Sequence, residues 1–397
     1  MQKMARTPVP GAYSLVAVLL ALVLLTAGAG TPSGLAAGGQ QAEPAKSQNL
    51  EGDAPAKVTV DPDGTVHFPS ASIPLSSLSS DESKKNFLDF VHGFASLSKG
   101  EGGGDINAGR KRLDDQLMRP GVERLRSAFT VEIRPEMIGG VQTDVIEPSG
   151  GVAKKNKGRV LINLHGGGFI VGAGLGGQME SIPIAAVGAI KVITVDYREG
   201  PEYRFPAASE DVAAVYKELL KSHSARNIGI YGCSAGALLA AESIAWFQTH
   251  QLPRPGAIGM FGLGAMVDKL GDSNYVSSAL MGGAVPSIPP GRTKQIFPYF
   301  SASDVDLKSP LVSPAYWQAI LAKFPPSLLI SGTRDLGLSS VVYTHAQLVK
   351  AGAKADLHVW EGTPHCSFAQ PVVNPNEPES REAWDVIVKF FDSNLGQ

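Results

Sequence analysis

Ile228-Gly229-Ile230-Tyr231-Gly232-Cys233-Ser234-Ala235-Gly236-Ala237-Leu238-Leu239 runs a β-branched apolar segment straight into small residues. The first four residues read as a buried strand and Ala235 to Trp246 as a helix of small side chains. The turn between them is a G-x-S-x-G. A serine there must sit on a tight, strained turn that lifts its hydroxyl off the strand end, and the flanking glycines remove side chains that would collide. An ordinary Gly-rich strand-to-helix turn can carry the same letters, so the motif needs partners before it implies chemistry.

Outward from this segment, strand and helix patterns alternate. A meander over Val131 to Ile146 is followed by compact apolar strands at Val160–Leu164, Lys191–Val195, Ala257–Leu263, Leu328–Ile330 and Leu357–Trp360, and by a closing amphipathic helix from Arg381 to Phe391. The alternation predicts an α/β fold with a mostly parallel central sheet and helices on both faces. Two stretches lack strand signals: Ser80–Met118, with apolar residues such as Phe87, Phe90, Val91 and Phe94 at helical spacing, and Asp268–Phe324. Both read as helical cap material. The organisation expected is a signal peptide over 1–29, a flexible linker over 30–79, a helical cap segment over 80–127 and a catalytic domain over 128–397 with a cap insertion at 268–324.

Serine is a poor nucleophile until a base takes its proton, and that base needs a partner to fix its tautomer. In chain order after the serine, Asp335 follows the strand Leu328–Ile330 and His365 follows the strand Leu357–Trp360. Both fall at carboxyl ends of strands, where parallel sheets place their sites. Among the eight histidines, His358 lies in a strand pattern, His345 in a helix, and His223 and His250 near helix ends. Asp304 and Asp306 fall in the cap insertion, and Glu361 follows its strand too early to support a histidine four residues on. Ser234, Asp335 and His365 are therefore the candidate triad, in the order Ser, Asp, His of an α/β-hydrolase fold.

His165-Gly166-Gly167-Gly168-Phe169 follows the strand Val160–Leu164 directly. Acyl transfer develops negative charge on the carbonyl oxygen, and backbone N–H groups freed of side chains can point at it. The amides of Gly167, Gly168 and Ala235 are the expected oxyanion hole, with His165 and Gly166 orienting the loop.

With these residues in place, the chain resembles the hormone-sensitive-lipase-like family of carboxylesterases over roughly Ala128–Leu395. The family pairs an HGGG loop with a GDSAG-type elbow, and its YRLAPEHPFPAA block appears here as Tyr197 to Ala208, a Pro-stiffened loop read as scaffold and followed by a helix carrying Asp211. The family's D-x-L-like acid loop is matched by Asp335-Leu336-Gly337-Leu338. The resemblance implies ester hydrolysis through an acyl-enzyme on Ser234, with short to medium acyl chains and no cofactor. Acetylated carbohydrates and lactones are alternative substrates. The chain departs from the family twice: Cys233 replaces the usual Asp before the nucleophile, and Cys366 the usual Gly after the base. These are the only two cysteines, which leaves two alternatives open, a disulfide if the Cα atoms lie within ~7 Å or a pair of small buried thiols.

Composition narrows the classes further. With 43% hydrophobic and 18% charged residues over 397 positions, the chain can bury a substantial core. A formal net charge of -2 offers no electrostatic footprint for nucleic acid. Lys3 and Arg6, the apolar run Ser14–Thr26 and the small residues after it read as a secretory signal peptide. This implies a periplasmic or secreted protein without stable membrane insertion after cleavage; an uncleaved anchor is the alternative, though the run is short for a span of ~20 residues. No metal-ligand spacing stands out, the expected partner is a small-molecule ester, and oligomeric state is open. A G-x-G-x-x-G at Gly172–Gly177, with Asp196 some twenty residues on, imitates a dinucleotide site. It begins too far beyond its strand and leaves the triad candidates unused. A binding protein on the same scaffold would usually lack a triad member.

Overall fold

The computed structural model describes residues 58–68, 72–98, 105–281, 287–289, 291–369 and 374–396. The expected signal peptide over 1–29 lies outside them. The chain divides into two compact units, the smaller being Leu25–Leu75. Within it, β1 (Thr59–Val60) and β2 (Val66–His67) pair antiparallel, and His67 bonds Asp61 at 2.8 Å. This hairpin stands in the segment read from composition as linker.

In the larger unit the chain order is α1 (Asp81–Ser98), α2 (Ile106–Leu113), a π-helical turn (Asp114–Met118), α3 (Arg119–Ala128), β3 (Val131–Ile138), β4 (Val141–Pro148), β5 (Val160–Leu164), α4 (Leu175–Gly188), β6 (Lys191–Val195), α5 (Ala207–Leu219), β7 (Ile228–Cys233), α6 (Ala235–Thr249) and β8 (Ala257–Phe261). After β8 come α7 (Ser273–Leu280), α8 (Thr293–Ile296) and α9 (Gln318–Leu321), then β9 (Ser327–Arg334), α10 (Leu338–Lys350), β10 (Ala355–Pro364) and α11 (Pro378–Asn394). No strand falls between 268 and 324 among the described residues.

The strands form one eight-stranded sheet in the order β10-β9-β8-β7-β5-β6-β4-β3. The six from β10 to β6 pair in parallel, β4 pairs antiparallel with β6, and β3 pairs antiparallel with β4. Its central strands are buried along their whole length, which is why they read as continuous apolar runs rather than alternating ones. The two faces belong to different cores. Val160, Ile162 and Leu164 of β5 pack with α5, α6 and α10 residues such as Tyr216, Leu238 and Leu348. Leu161 points the other way, with Ile182 of α4 and Ile387 and Phe391 of α11.

From β5 the chain crosses to β6 on one side, then back past β5 to β7 on the other. Connections diverge at that point, beyond the carboxyl ends of β5 and β7, which is where parallel sheets of this kind bind ligands. The HGGGF loop leaves β5 there and Ser234 leaves β7. Glu361 lies inside β10 rather than after it, because a register shift between Trp360 and Pro364 carries the strand on to Pro364.

The sheet centre should dominate stability. Ile230 of β7 is fully buried, so Ile230→Ala is expected to lower the unfolding free energy by about 2–5 kcal/mol, read as a reduced midpoint in chemical denaturation at unchanged slope.

Candidate active site

Ser234 occupies the N-terminal boundary of α6 with φ 57° and ψ −120°. A residue with a Cβ is rarely found there, and the conformation persists only where surroundings impose it. Here they do. The Ser234 amide donates to Phe261 O at the end of β8 (2.8 Å), tying the turn to the neighbouring strand. A Cβ on Gly236 would strike the carbonyl of Leu164 on β5, so only glycine lets the first turn of α6 close over the strand. Ser234 itself is half-buried. Ala235 is the first residue of α6, and its amide is one of the donors a helix start leaves without an intrahelical acceptor.

The HGGGF loop lies against this elbow. A Cβ placed on Gly166 would sit 3.3 Å from the Ser234 Cβ and 3.1 Å from Cys233 O. Gly167 has φ 115° and a side chain there would run into the Val171 carbonyl, so the loop turns through a conformation reserved for glycine. Among the described residues, neither the Gly167 nor the Gly168 amide donates to a protein acceptor. His165 is fully buried, stacked on Tyr197 with centroids 4.2 Å apart, and donates from Nδ1 to Gly166 O (2.8 Å). Burial pushes its pKa down to about 4, so the ring is neutral. The Tyr197 hydroxyl donates to His165 O (2.7 Å), which explains why the Tyr197–Ala208 block follows β6 so closely.

Asp335 and His365 meet where β9 and β10 end. His365 Nδ1 donates to Asp335 Oδ1 at 2.7 Å, an arrangement that leaves the ring's lone pair on Nε2 in the neutral form. Asp335 is fully buried, its second oxygen accepting from Ser331 Oγ (2.9 Å) and its first also from the Gly337 amide (2.8 Å). Burial disfavours charge on His365, but the Asp335 carboxylate and its hydrogen bond outweigh this, with a smaller contribution from Glu180, and hold the pKa above the ordinary 6.5. The ring also borders β8: a Cβ on Gly262 would lie 3.0 Å from His365 Cε1. Cys233 and Cys366 are joined by a disulfide with Cα atoms 6.3 Å apart, which decides between the two alternatives the sequence left open.

Three residues that sequence reasoning passed over complete the setting. Glu180 of α4 accepts from the Gly166 amide (2.8 Å) and from Asn163 Nδ2 (2.8 Å). Burial raises its pKa to about 8. The signal was available: Glu180 is the one charged residue in the helix LGGQMESIPIAAVG. Arg110 of α2 donates to Ile170 O (2.7 Å), Gly200 O (2.8 Å) and Glu202 (2.7 Å), and Tyr299, from the stretch between β8 and β9, stacks on Phe169 with centroids 4.7 Å apart. Both residues thus clasp the far end of the HGGGF loop, and no local pattern marks either one. Asp196, the acidic residue of the imitated dinucleotide motif, accepts from the Gly174 amide (2.7 Å), so its carboxyl is engaged within that loop.

A family model described as alpha/beta hydrolase fold matches residues 161–369, more than half of the chain. An acetyl-hydrolase of Streptomyces hygroscopicus is 26% identical over 244 residues, 61% of this chain and 78% of its own. An esterase of Acinetobacter venetianus is 26% identical over 290 residues, 71% of this chain and 90% of its own. A crystal structure of an esterase superposes with a TM-score of 0.67 at 30% identity, covering 83% of this chain and 98% of that one. Another, described as an esterase from the bacterial hormone-sensitive lipase family, gives a TM-score of 0.67 at 23% identity over 79% of this chain and 99% of its own, a likeness of fold. The family model over more than half of the chain and the 30% identical esterase structure show that the chain belongs to the α/β-hydrolase family, among its carboxylesterases.

Proposed function

We propose that this carboxylesterase cleaves its ester with Ser234 as nucleophile, His365 as general base and acid, and Asp335 as the group that orients and charges the base. The observation that carries the assignment is the 2.7 Å bond from His365 Nδ1 to buried Asp335, formed at the same carboxyl edge of the sheet as the Ser234 elbow. His365 Nε2 takes the serine proton as Oγ attacks the carbonyl carbon, then returns it to the departing alkoxide. Water, deprotonated by the same nitrogen, releases the acyl group. The amides of Gly167, Gly168 and Ala235 receive the oxyanion, each such donor contributing roughly a hundredfold or more in rate. His165, neutral and buried, serves the loop rather than the proton transfer.

The substrate reading is a carboxylic ester of short to medium acyl chain. Phe297 of the cap insertion lies close enough to the oxyanion loop that a Cβ on Gly168 would meet its ring at 3.4 Å, so bulk near the reacting carbon is limited. The acetyl-hydrolase among the relatives supports the short end of that range. Export is part of the same reading: the apolar N-terminal run supports it, and so does a disulfide, a bond that persists in oxidising compartments.

Hydrolysis of p-nitrophenyl esters from acetate to palmitate is expected to peak at short chains, and Ser234→Ala to abolish it by ~10⁴-fold or more. Activity surviving in that variant would remove Ser234 from the mechanism.

The pH profile follows from the sign of the His365 shift. Only neutral imidazole accepts a proton, and its pKa is raised above 6.5. The acid limb of kcat/KM should therefore fall with a midpoint above that value, and Asp335→Asn should move the midpoint down while lowering kcat by on the order of 10⁴-fold. A midpoint below 6.5 in the wild type would contradict the Asp335 pairing.

For export, N-terminal sequencing of protein recovered from periplasm or medium is expected to begin near Gly30, or near residues 37–38 if the later small residues are used. Recovery of Met1 on the mature protein would rule out cleavage.

A further inference from the structure

We infer that the Cys233–Cys366 disulfide is a positioning element of the catalytic machinery: it holds the backbone that carries His365 against the elbow that carries Ser234. This inference rests on the triad assigned above. Cys233 immediately precedes the nucleophile and Cys366 immediately follows the base, so the bridge links the two backbones through one residue on each side.

Sheet geometry shows why a link is needed at this place. Ser234 stands on β7 at the centre of the sheet, whereas His365 stands on β10 at its edge, with β8 and β9 between them. Neighbouring strands are ~4.8 Å apart, so three spacings separate the two strands by ~14 Å. Yet the bridged Cα atoms lie 6.3 Å apart. The chain leaving β10 must therefore fold back over the ends of β9 and β8 before its base can reach the centre. Gly262, which follows β8, makes the crossing possible: a Cβ there would sit 2.5 Å from the Cys366 sulfur and 3.0 Å from His365 Cε1. β10 has one hydrogen-bonded neighbour instead of two, and edge elements open more readily than central ones. His365 thus follows an edge strand of the sheet, and the bridge ties it to an interior one.

Asp335 does not make the bridge redundant. The carboxylate fixes the rotation of the imidazole through Nδ1, but Asp335 is itself on the β9 loop and sets no distance to Ser234. The bridge acts on the backbone. Both cysteines are almost fully buried, and Cys366 has φ 52°, a conformation that an unconstrained residue with a side chain seldom keeps.

The test compares wild type with Cys366→Gly, a substitution that the left-handed backbone accommodates. Serine-directed phosphonate titration counts functional sites, and kcat and KM per titrated site are measured on p-nitrophenyl acetate and on ethyl acetate. Misplacing the base by a fraction of an ångström should lower kcat per site by ~10- to 100-fold with KM little changed. The loss should be larger for ethyl acetate, whose alkoxide needs the proton from His365 more than nitrophenolate does. A variant with a lower Tm but unchanged kcat per site and unchanged ratio between the two esters would overturn the proposal, reducing the bridge to a structural cross-link. Should Cys366→Gly fail to fold, wild type reduced under native conditions by tris(2-carboxyethyl)phosphine replaces it. The phosphine is oxidised to its oxide as the disulfide becomes two thiols, counted by mass. The same criteria apply, and reoxidation by glutathione disulfide should restore kcat. Oxidised wild type that hydrolyses neither ester would count against the esterase reading itself, a failure distinct from that of the bridge.

Discussion

A serine held at φ 57° on the end of a fully buried strand is the constraint around which the rest is arranged. Its backbone cannot relax because β5 and β8 press on it from both sides, Leu164 through the glycines of the elbow and Phe261 through the bond to the Ser234 amide. The same compression brings the first turn of α6 and the HGGGF loop together, so that strain at one residue and a cluster of backbone donors have a single cause. A strained turn costs on the order of 1–3 kcal/mol, and the continuous apolar burial of β5, β7 and β8 is large enough to hold it.

Around that centre the site is assembled from loops that follow four strands, each supplying one kind of group. β5 is followed by the HGGGF loop, β7 by Ser234, β9 by Asp335 and β10 by His365. Two buried ionisable residues lie beside them: His165 bonds the Gly166 carbonyl within the loop, and Glu180 caps the Gly166 amide from α4. Their opposite displacements, His165 toward about 4 and Glu180 toward about 8, have the same origin, since burial disfavours charge on either. On His365 the Asp335 carboxylate is the dominant favourable charge, with a smaller contribution from Glu180.

The parts legible in the sequence were those where local geometry dictates residue type. The elbow and the HGGGF loop demand glycine at particular steps, and Asp335 and His365, which the structure brings within 2.7 Å of each other, each follow an apolar strand in sequence. Glu180 and Arg110 escaped because their partners are set by how α4 and α2 pack against the sheet. The edge strand was misjudged in extent: a register shift near Gly362 breaks the alternation that would have carried the pattern to Pro364. The hairpin at Thr59–His67 was missed because its strands are two residues each, too short to show periodicity. The two cysteines stood out by position, but spacing in sequence cannot tell a bridge from two thiols.

The bridge joins residues 133 apart in the chain, and the covalent ring it closes contains β8, β9 and everything between them. Such a ring survives the loss of every other contact. In the chain-entropy picture it removes about 5 kcal/mol of disorder from the unfolded ensemble, by fixing in advance an encounter between two segments far apart in sequence. An oxidised chain that has unfolded therefore begins its return with Ser234 and His365 already neighbours, whereas a newly made chain must first bring its carboxyl-terminal third into place.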